Sequence, residues 1–146
     1  MTTFGLWQFT LDRDATIAAY ARAVCGGSEG CSCNGCRNFR IVRERAFPEP
    51  FFRLLESLGI DYRKDGEVYH NARPAPGRHS YGGWFHFVGE FRVTGDFPVV
   101  PLGDGFSAWL VRKSAPELPA LRGLSLVELD FQAENIPWAL DEPEAT

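Results

Sequence analysis

Cysteine is missing from most of this chain: the four cysteines among its 146 residues all lie between residues 25 and 36. No uninterrupted apolar run approaches the roughly 20 residues of a membrane-spanning helix. The N-terminus has no basic segment followed by an apolar one, so we expect no signal peptide and a cytoplasmic location. In a reducing cytoplasm, clustered cysteines indicate metal ligands or redox groups before disulfides.

The motifs of several large enzyme classes are also missing. The sequence has neither of the glycine-rich loops that bind phosphates, G-x-x-x-x-G-K-[ST] or G-x-G-x-x-G after a strand. It also lacks the G-x-S-x-G nucleophile turn and the H-E-x-x-H zinc motif. Nothing in the sequence therefore points to these enzyme classes.

Basic residues are absent from residue 127 onward, where six acidic residues occur. The net charge is −4; the first 46 residues carry six arginines against four acids, a net +2. An acidic chain argues against a nucleic-acid-binding protein. We expect the arginines of the early basic segment to lie on a solvated helix face, where they can also offset the charge of nearby thiolates: Arg37, Arg40, Arg43 and Arg45.

A composition of 45% hydrophobic and 14% aromatic residues predicts a packed domain over residues 1–146, with a frayed tail at 141–146. Hydrophobic periodicity predicts a first strand over residues 4–11 and a helix that Asp12 or Asp14 caps and that runs through Val24. Residues 17, 18, 21 and 24 form its expected buried face. Further helices are predicted over residues 36–47 and 51–58, with Gly59 as the C-terminal stop of the last one.

Strands follow the helices. They are predicted at residues 68–70, 84–93, 106–111 and 124–131, and Gly89 marks a bulge in the second of them. Helices early and strands late predict an α+β fold, with N-terminal helices on one face of a largely antiparallel sheet of four to five strands.

The cysteine array has the spacing C-x5-C-x-C-x2-C. A structural zinc site needs four ligands that converge on one ion, and the Cys33-x2-Cys36 pair has the tight turn of a zinc knuckle. Cys31 can join the same ion, and Cys25 at the end of a helix can supply the fourth thiolate. We therefore predict a structural zinc site formed by Cys25, Cys31, Cys33 and Cys36. Either His70 or His79 is an alternative ligand if one cysteine does not reach the metal.

Three other interpretations of the array stay open. The cysteines can be free, partly buried thiols in a loop. Cys33 and Cys36 can form a redox pair at a helix N-terminus, although no buried strand precedes them as in thiol oxidoreductases. An iron–sulfur cluster is a further alternative, although the spacing matches neither common ferredoxin pattern.

A polar group on the predicted sheet suggests a second chemistry. Glu128 and Asp130 share one strand face and can approach His86 or Glu90 on a neighbouring strand, which is the minimum for acid–base catalysis. A solvated sheet face, with His86 hydrogen-bonded and partly buried, explains the same residues without catalysis. Apolar surface around Trp84 or Trp138 is compatible with a homodimer interface or with plain core.

Three segments together resemble small uncharacterised bacterial proteins of this length: C-x-C-x-x-C-R-N-F from Cys31, Y-G-G-W-F-H-F-V-G from Tyr81 and I-P-W from Ile136. The resemblance spans residues 30–138 and implies no activity, because none is assigned to such proteins. The sequence alone therefore predicts a cytoplasmic module with a zinc-stapled loop that binds an unidentified protein partner. The thiol redox protein and the small acid–base enzyme remain the alternatives.

Overall fold

Seven strands form one antiparallel sheet in the computed structural model, which describes residues 1–112 and 115–146. The elements along the chain are β1 Thr2–Phe4, β2 Trp7–Leu11, α1 Arg13–Arg22, α2 Asn34–Ala46, α3 Glu49–Leu58, β3 Glu67–Ala75, β4 Arg78–Val93, β5 Val100–Gly103, β6 Phe106–Val111, a short 3-10 helix Pro119–Leu121 and β7 Leu126–Ile136. The sheet order is β1-β2-β4-β7-β6-β5, and β3 pairs with β4. The predicted α+β class is confirmed, with more strands than the four to five expected.

Strand β4 is the centre of the sheet. One edge pairs with β7 from His79 to Val88. The other edge is shared end to end: β3 pairs with its first part up to Trp84, and β2 pairs with its last part from Gly89. This leaves residues 85–88 of β4 without a strand on that edge.

Helix α1 fills this gap with side-chain hydroxyls. The Tyr20 hydroxyl donates to the His86 carbonyl oxygen at 2.7 Å and accepts from the His86 N–H at 3.3 Å. The Thr16 hydroxyl accepts from the Val88 N–H at 2.9 Å. Buried backbone groups need such partners, so these two residues of α1 are buried.

The main core lies between one sheet face and helices α2 and α3. Alternate residues of β4 and β7 point into it, among them Phe85 and Phe131. Phe47, at the C-terminal end of α2, has its ring centre 4.9 Å from that of Phe51 and 5.2 Å from that of Phe131. Aromatic rings at these distances prefer tilted or edge-to-face contacts, and those contacts fix α2 and α3 over the sheet.

The structure corrects several sequence predictions of local structure. The first strand is two strands, because Gly5 takes a positive φ of 57° and turns the chain between β1 and β2. The strands predicted at residues 68–70 and 84–93 are longer and form the β3–β4 hairpin, and β5 was not predicted. Residues 106–111 and the stop at Gly59, which has a left-handed φ of 84°, are confirmed.

The buried face of α1 was predicted wrongly. Ile17 is 41% exposed and Val24 is 95% exposed, whereas Thr16 and Tyr20 are buried. The hydroxyls face the sheet because the open edge of β4 needs hydrogen-bond partners, and apolar periodicity carries no information about that need.

No helix among the described residues is long and apolar enough to cross a bilayer. The cytoplasmic location stays a prediction.

Replacing Tyr20 by phenylalanine tests the closure of the β4 edge. The change leaves the His86 N–H and carbonyl without their partner, and we expect it to lower the free energy of unfolding by about 1–3 kcal/mol. Urea denaturation measures the loss. Tyr62→Phe is the matched control, because the Tyr62 hydroxyl contacts only the exposed Glu44 at 3.2 Å. Equal stability losses in the two variants would contradict this role of Tyr20.

Candidate metal centre

The cysteine-rich loop begins with a tight backbone contact. A Cβ atom on Gly27 would lie 2.3 Å from the Gly66 carbonyl oxygen, and one on Gly26 would lie 2.6 Å from the Asp65 nitrogen. The Gly27 N–H also donates to the Asp65 carbonyl oxygen at 2.8 Å. Only glycine permits this approach, so Gly26 and Gly27 dock the loop against residues 64–66.

Ser28 and Asp65 form a buried polar link beside this contact. The Asp65 carboxylate accepts from the Ser28 N–H at 3.0 Å and from the Ser28 hydroxyl at 2.6 Å. Burial raises the pKa of the Asp65 carboxyl, and the hydrogen bonds from Ser28 oppose that rise. The link fixes the chain three residues before Cys31.

Arginines of α2 hold the rest of the loop. The Arg40 guanidinium donates to the carbonyl oxygens of Ser28 and Cys31, the latter at 2.9 Å, and Arg37 donates to that of Ser32 at 3.0 Å. Arg43 is buried and pairs with Glu29 at 3.2 Å. The prediction of a solvated arginine face is therefore wrong for the buried Arg43, whereas Arg37 and Arg40 are half-buried and bind the loop.

Three of the four predicted cysteine ligands come together. The Sγ atoms of Cys31, Cys33 and Cys36 lie within 4.8 Å of one another, which places them close enough to hold one metal ion. Cys33 is the N-cap of α2, and its Sγ accepts from the Cys36 N–H at 3.4 Å. The Sγ atoms of Cys31 and Cys33 are 3.2 Å apart. An N–H directed at a sulfur stabilises a thiolate, as expected of a zinc-knuckle turn.

The environments of the three thiols differ. Cys36 is buried, and burial raises the pKa of its thiol above the ordinary value. A hydrogen bond with Cys36 lowers the pKa of Cys31, and Arg40 contributes to the same shift. Cys33 is exposed and Cys31 half-buried. The group thus has one side in the protein and one side open to solvent.

Cys25 is not a member of this group. It is exposed and lines a shallow pocket of about 290 Å³ together with Glu29, Asp61, Arg63 and Lys64. Its role as fourth ligand stays a prediction.

His70 and His79, the alternative ligands, bind each other instead. His70 Nε2 and His79 Nδ1 are 2.8 Å apart, and His79 Nε2 is 2.8 Å from Glu144 Oε1. His70 packs close to Gly35, between two of the cysteines, but neither histidine belongs to the described cysteine group. Burial lowers the pKa of His70, and the charge of His79 adds to that effect.

The C-terminal segment crosses the first turns of α2. The Asn38 side-chain oxygen accepts from the N–H groups of Ala139 and Leu140, at 2.7 and 3.2 Å. Glu142 forms a two-pronged ion pair with Arg37, and Glu144 accepts from the Gly77 N–H at 2.7 Å. These contacts tie the tail to the helix that carries Cys36. Fraying of residues 141–146 stays a prediction.

The predicted acid–base residues do not form an open pocket. His86 Nε2 lies 3.1 Å from Glu128 Oε1, but their side chains are 0% and 3% exposed. Asp130 pairs with Trp84 across the strands, and Glu90 lines a separate shallow pocket with Arg112 and Ser125. A substrate cannot reach His86 and Glu128 unless the chain above them moves.

Several residues that build this centre escaped the sequence analysis. Asp65, Asn38 and Glu144 contact Ser28, Ala139 and His79, which lie 37, 101 and 65 positions away in the chain, respectively. The sequence shows the spacing of Arg37 and Arg40. It does not show that they bind the carbonyl oxygens of the loop, because the fold determines that contact.

Gly27→Ala tests the docking of the loop. The new Cβ would clash with the Gly66 carbonyl, and we expect a loss of about 1–3 kcal/mol in the free energy of unfolding, as for other overpacked sites. Gly30→Ala is the matched control, because its nearest contact would be an ordinary 3.7 Å. Thermal unfolding of both variants measures the difference. A Gly27→Ala protein as stable as the control would contradict the tight contact.

Acid pH should release the C-terminal segment. The hydrogen bonds from Arg37 and His79 hold the pKa values of Glu142 and Glu144, respectively, below the ordinary range. A lowered folded-state pKa means that the contacts are complete above the ordinary glutamate pKa of about 4.3 and are lost as pH falls through the lowered value. The Trp138 indole N–H, which donates to the Glu142 carbonyl at 2.9 Å, should then exchange faster with solvent.

Hydrogen exchange of this indole by NMR checks the expectation between neutral pH and about pH 3. The double variant Glu142→Gln, Glu144→Gln should show fast exchange already at neutral pH. Equal protection of the wild-type indole at both pH values would refute the release.

Comparison with known proteins adds no relative. No protein-family model matches the chain, no curated protein matches it, and no solved structure resembles it significantly. The resemblance to small bacterial proteins stays a prediction, and the function has to be argued from the site itself.

Proposed function

We propose that this protein is a binding or interaction module whose cysteine-rich loop is stapled by a structural zinc ion. The proposal rests on one observation: the sulfur atoms of Cys31, Cys33 and Cys36 lie within 4.8 Å of one another. Cys33 and Cys36 belong to the first turn of α2, and Cys31 belongs to the loop. A shared ion would therefore join the loop to the helix.

The donor set favours zinc. Thiolates are soft ligands, and zinc accepts them in tetrahedral structural sites with sulfur at about 2.3 Å. Two arginines, Arg37 and Arg40, lie at the loop and would offset the negative charge of the thiolates. The N–H of Cys36 directed at Cys33 adds a second stabilising contact to a ligand sulfur.

A structural role explains the surroundings better than a catalytic one. The loop has few apolar side chains of its own. Glycine and serine occupy six of the positions from 25 to 36: Gly26, Gly27, Ser28, Gly30, Ser32 and Gly35. A metal would replace the missing core at this point. None of the three described pockets is lined by Cys31, Cys33 or Cys36.

The fourth coordination position faces solvent, because Cys33 is exposed and Cys31 half-buried. We propose Cys25 as its ligand, reached by a change of its side chain and of the chain before the docked Gly26, with a water molecule as the alternative occupant. The first arrangement makes all four cysteines necessary for tight binding, and the second leaves Cys25 dispensable.

Metal analysis of protein purified without chelator tests the proposal. We expect one equivalent of zinc, and we expect Cys31→Ser, Cys33→Ser and Cys36→Ser each to lose most of it. Removing zinc should lower the melting temperature, because a ligand at 100 times its Kd adds about 2.7 kcal/mol, or about 5–10 °C for a chain of this size.

Cys25→Ser is the internal control of this experiment. Unchanged zinc content and affinity would assign the fourth position to water, and a large loss of affinity would assign it to Cys25. Cobalt substitution separates the two cases independently, because its absorption depends on the number of thiolate ligands. Protein without bound metal, and with the same melting temperature in chelator, would refute the structural zinc site.

A thiol redox protein is the second candidate. Cys33 is exposed at the N-terminus of α2, and Cys36, three residues later, is buried. This is the order of an attacking and a resolving thiol. Quantitative thiol titration of the native protein distinguishes the candidates: a closed zinc site protects three or four thiols, whereas a redox pair leaves Cys33 fully reactive.

A further inference from the structure

The largest described cavity lies away from the cysteine group. It has a volume of about 530 Å³ and lies between α1, α3 and the chain that follows α3. This volume is within the range of small-molecule sites, about 300–1,000 Å³. No cysteine lines it, so an inference about the cavity does not depend on the zinc proposal.

The walls of the cavity are mostly apolar. They include Ile17 from α1, Phe52 and Leu55 from α3, and Ile60 and Tyr62 from the following segment. Ile17 is 41% exposed here although it is a large aliphatic residue. Its exposure follows from the orientation of α1, whose Thr16 and Tyr20 face the sheet, and it leaves part of this apolar side chain open at the cavity.

Two cations, Arg13 and Lys64, border this apolar surface. Among the described residues, no carboxylate lies within 4.0 Å of either cation. Each is held in place by a backbone carbonyl instead. The Lys64 ammonium donates to the Tyr20 carbonyl at 2.7 Å, and the Arg13 guanidinium donates to the Glu56 carbonyl at 3.0 and 3.2 Å. These bonds orient the cations and leave both with further N–H donors.

The two ends of the cavity differ in charge. Arg13 and Tyr20, the anchor of Lys64, are seven residues apart on α1, roughly 10 Å along the helix axis. At the Lys64 end, Arg63 and Asp61 neutralise each other through two contacts at 3.0 and 3.2 Å, which leaves the charge of Lys64. At the Arg13 end, Glu56 supplies an opposite charge on the cavity wall. Among the residues that line the cavity, the Lys64 end is therefore the net positive one; the neighbouring buried Asp65 is hydrogen-bonded by Ser28.

We propose that this cavity binds a small carboxylate with an apolar body, with the carboxylate on Lys64 and the apolar part between Ile17, Phe52 and Leu55. The Lys64 ammonium, which Tyr20 orients, would pair with the carboxylate, and the apolar walls would contact the apolar part of the ligand. The net charge of the protein is −4, so a carboxylate ligand depends on the local positive charge at Lys64.

Octanoate and octanol are the matched probes, because they share the chain and differ in the charge. We expect isothermal titration calorimetry of the full-length protein at low salt to show octanoate binding about tenfold or more tightly than octanol. NMR shifts of Ile17 and Leu55 methyl groups should locate both ligands. Lys64→Gln should abolish the preference for octanoate, and Lys64→Arg should retain it.

Two further variants complete the design. Arg13→Gln removes the other cation and should change octanoate affinity by less than about threefold. Ala21→Phe places a ring in the cavity wall and should abolish binding of both probes. Melting temperatures and circular dichroism verify that each variant is folded, and Cys36→Ser should bind octanoate normally even if it loses its metal.

Three outcomes would overturn the proposal. They are no binding of octanoate, equal binding of octanoate and octanol to the wild type, and an unchanged preference in a folded Lys64→Gln protein. Binding that persists in Ala21→Phe would place the ligand elsewhere and would overturn it as well.

Discussion

The backbone hydrogen bonds of β4 are the constraint on which the rest of the structure depends. This strand has 16 residues, more than any other, and its backbone groups need partners along both edges. Strands β2 and β3 share one edge but leave residues 85–88 open. The hydroxyls of Thr16 and Tyr20 close that opening, and they thereby determine how α1 sits against the sheet.

Two features of functional interest follow from the placement of α1 and β3. Because α1 uses its polar side on β4, Ile17 faces outward, and the large cavity forms between α1 and α3. Because β3 occupies the neighbouring part of the edge, Val68 and His70 lie beside the first turn of α2, where the Val68 carbonyl is 3.9 Å from Cys36 Sγ. The buried side of the cysteine group is thus a product of the sheet.

The loop that carries the thiols is positioned mainly by backbone contacts and charge. Glycines allow it to touch residues 64–66, Ser28 and Asp65 anchor it, and arginines of α2 bind its carbonyl groups. These contacts bring the three sulfur atoms together without the help of a metal ion. Less ordering entropy then opposes metal binding, which is the physical advantage of a site arranged in advance.

Structural features that depend on neighbouring residues could be predicted from the sequence. The strand at residues 106–111 and the end of α3 at Gly59 follow from side-chain alternation and from backbone freedom, which are local properties. The Cys33-x2-Cys36 pair could be predicted for the same reason, since one helical turn brings both sulfurs to the same end of α2. Cys31 is two residues away and has little freedom to lie elsewhere.

Distant contacts were beyond such reasoning. The inward face of α1 was mistaken because the decisive partner, the open edge of β4, is 66 to 72 residues away. Asp65 contacts Ser28 across 37 residues, Asn38 contacts Ala139 across 101, and His79 contacts Glu144 across 65.

The sequence by itself therefore determined a chain with an α+β pattern and one compact group of thiols, because residue type and close spacing are enough for both. Only the tertiary structure decided where the loop docks on residues 64–66, how the C-terminal segment is tied to α2, and where α1 leaves a cavity. Those outcomes depend on chain closure over long separations, where hydrogen-bond satisfaction of a central strand outweighs the local preference of any single segment.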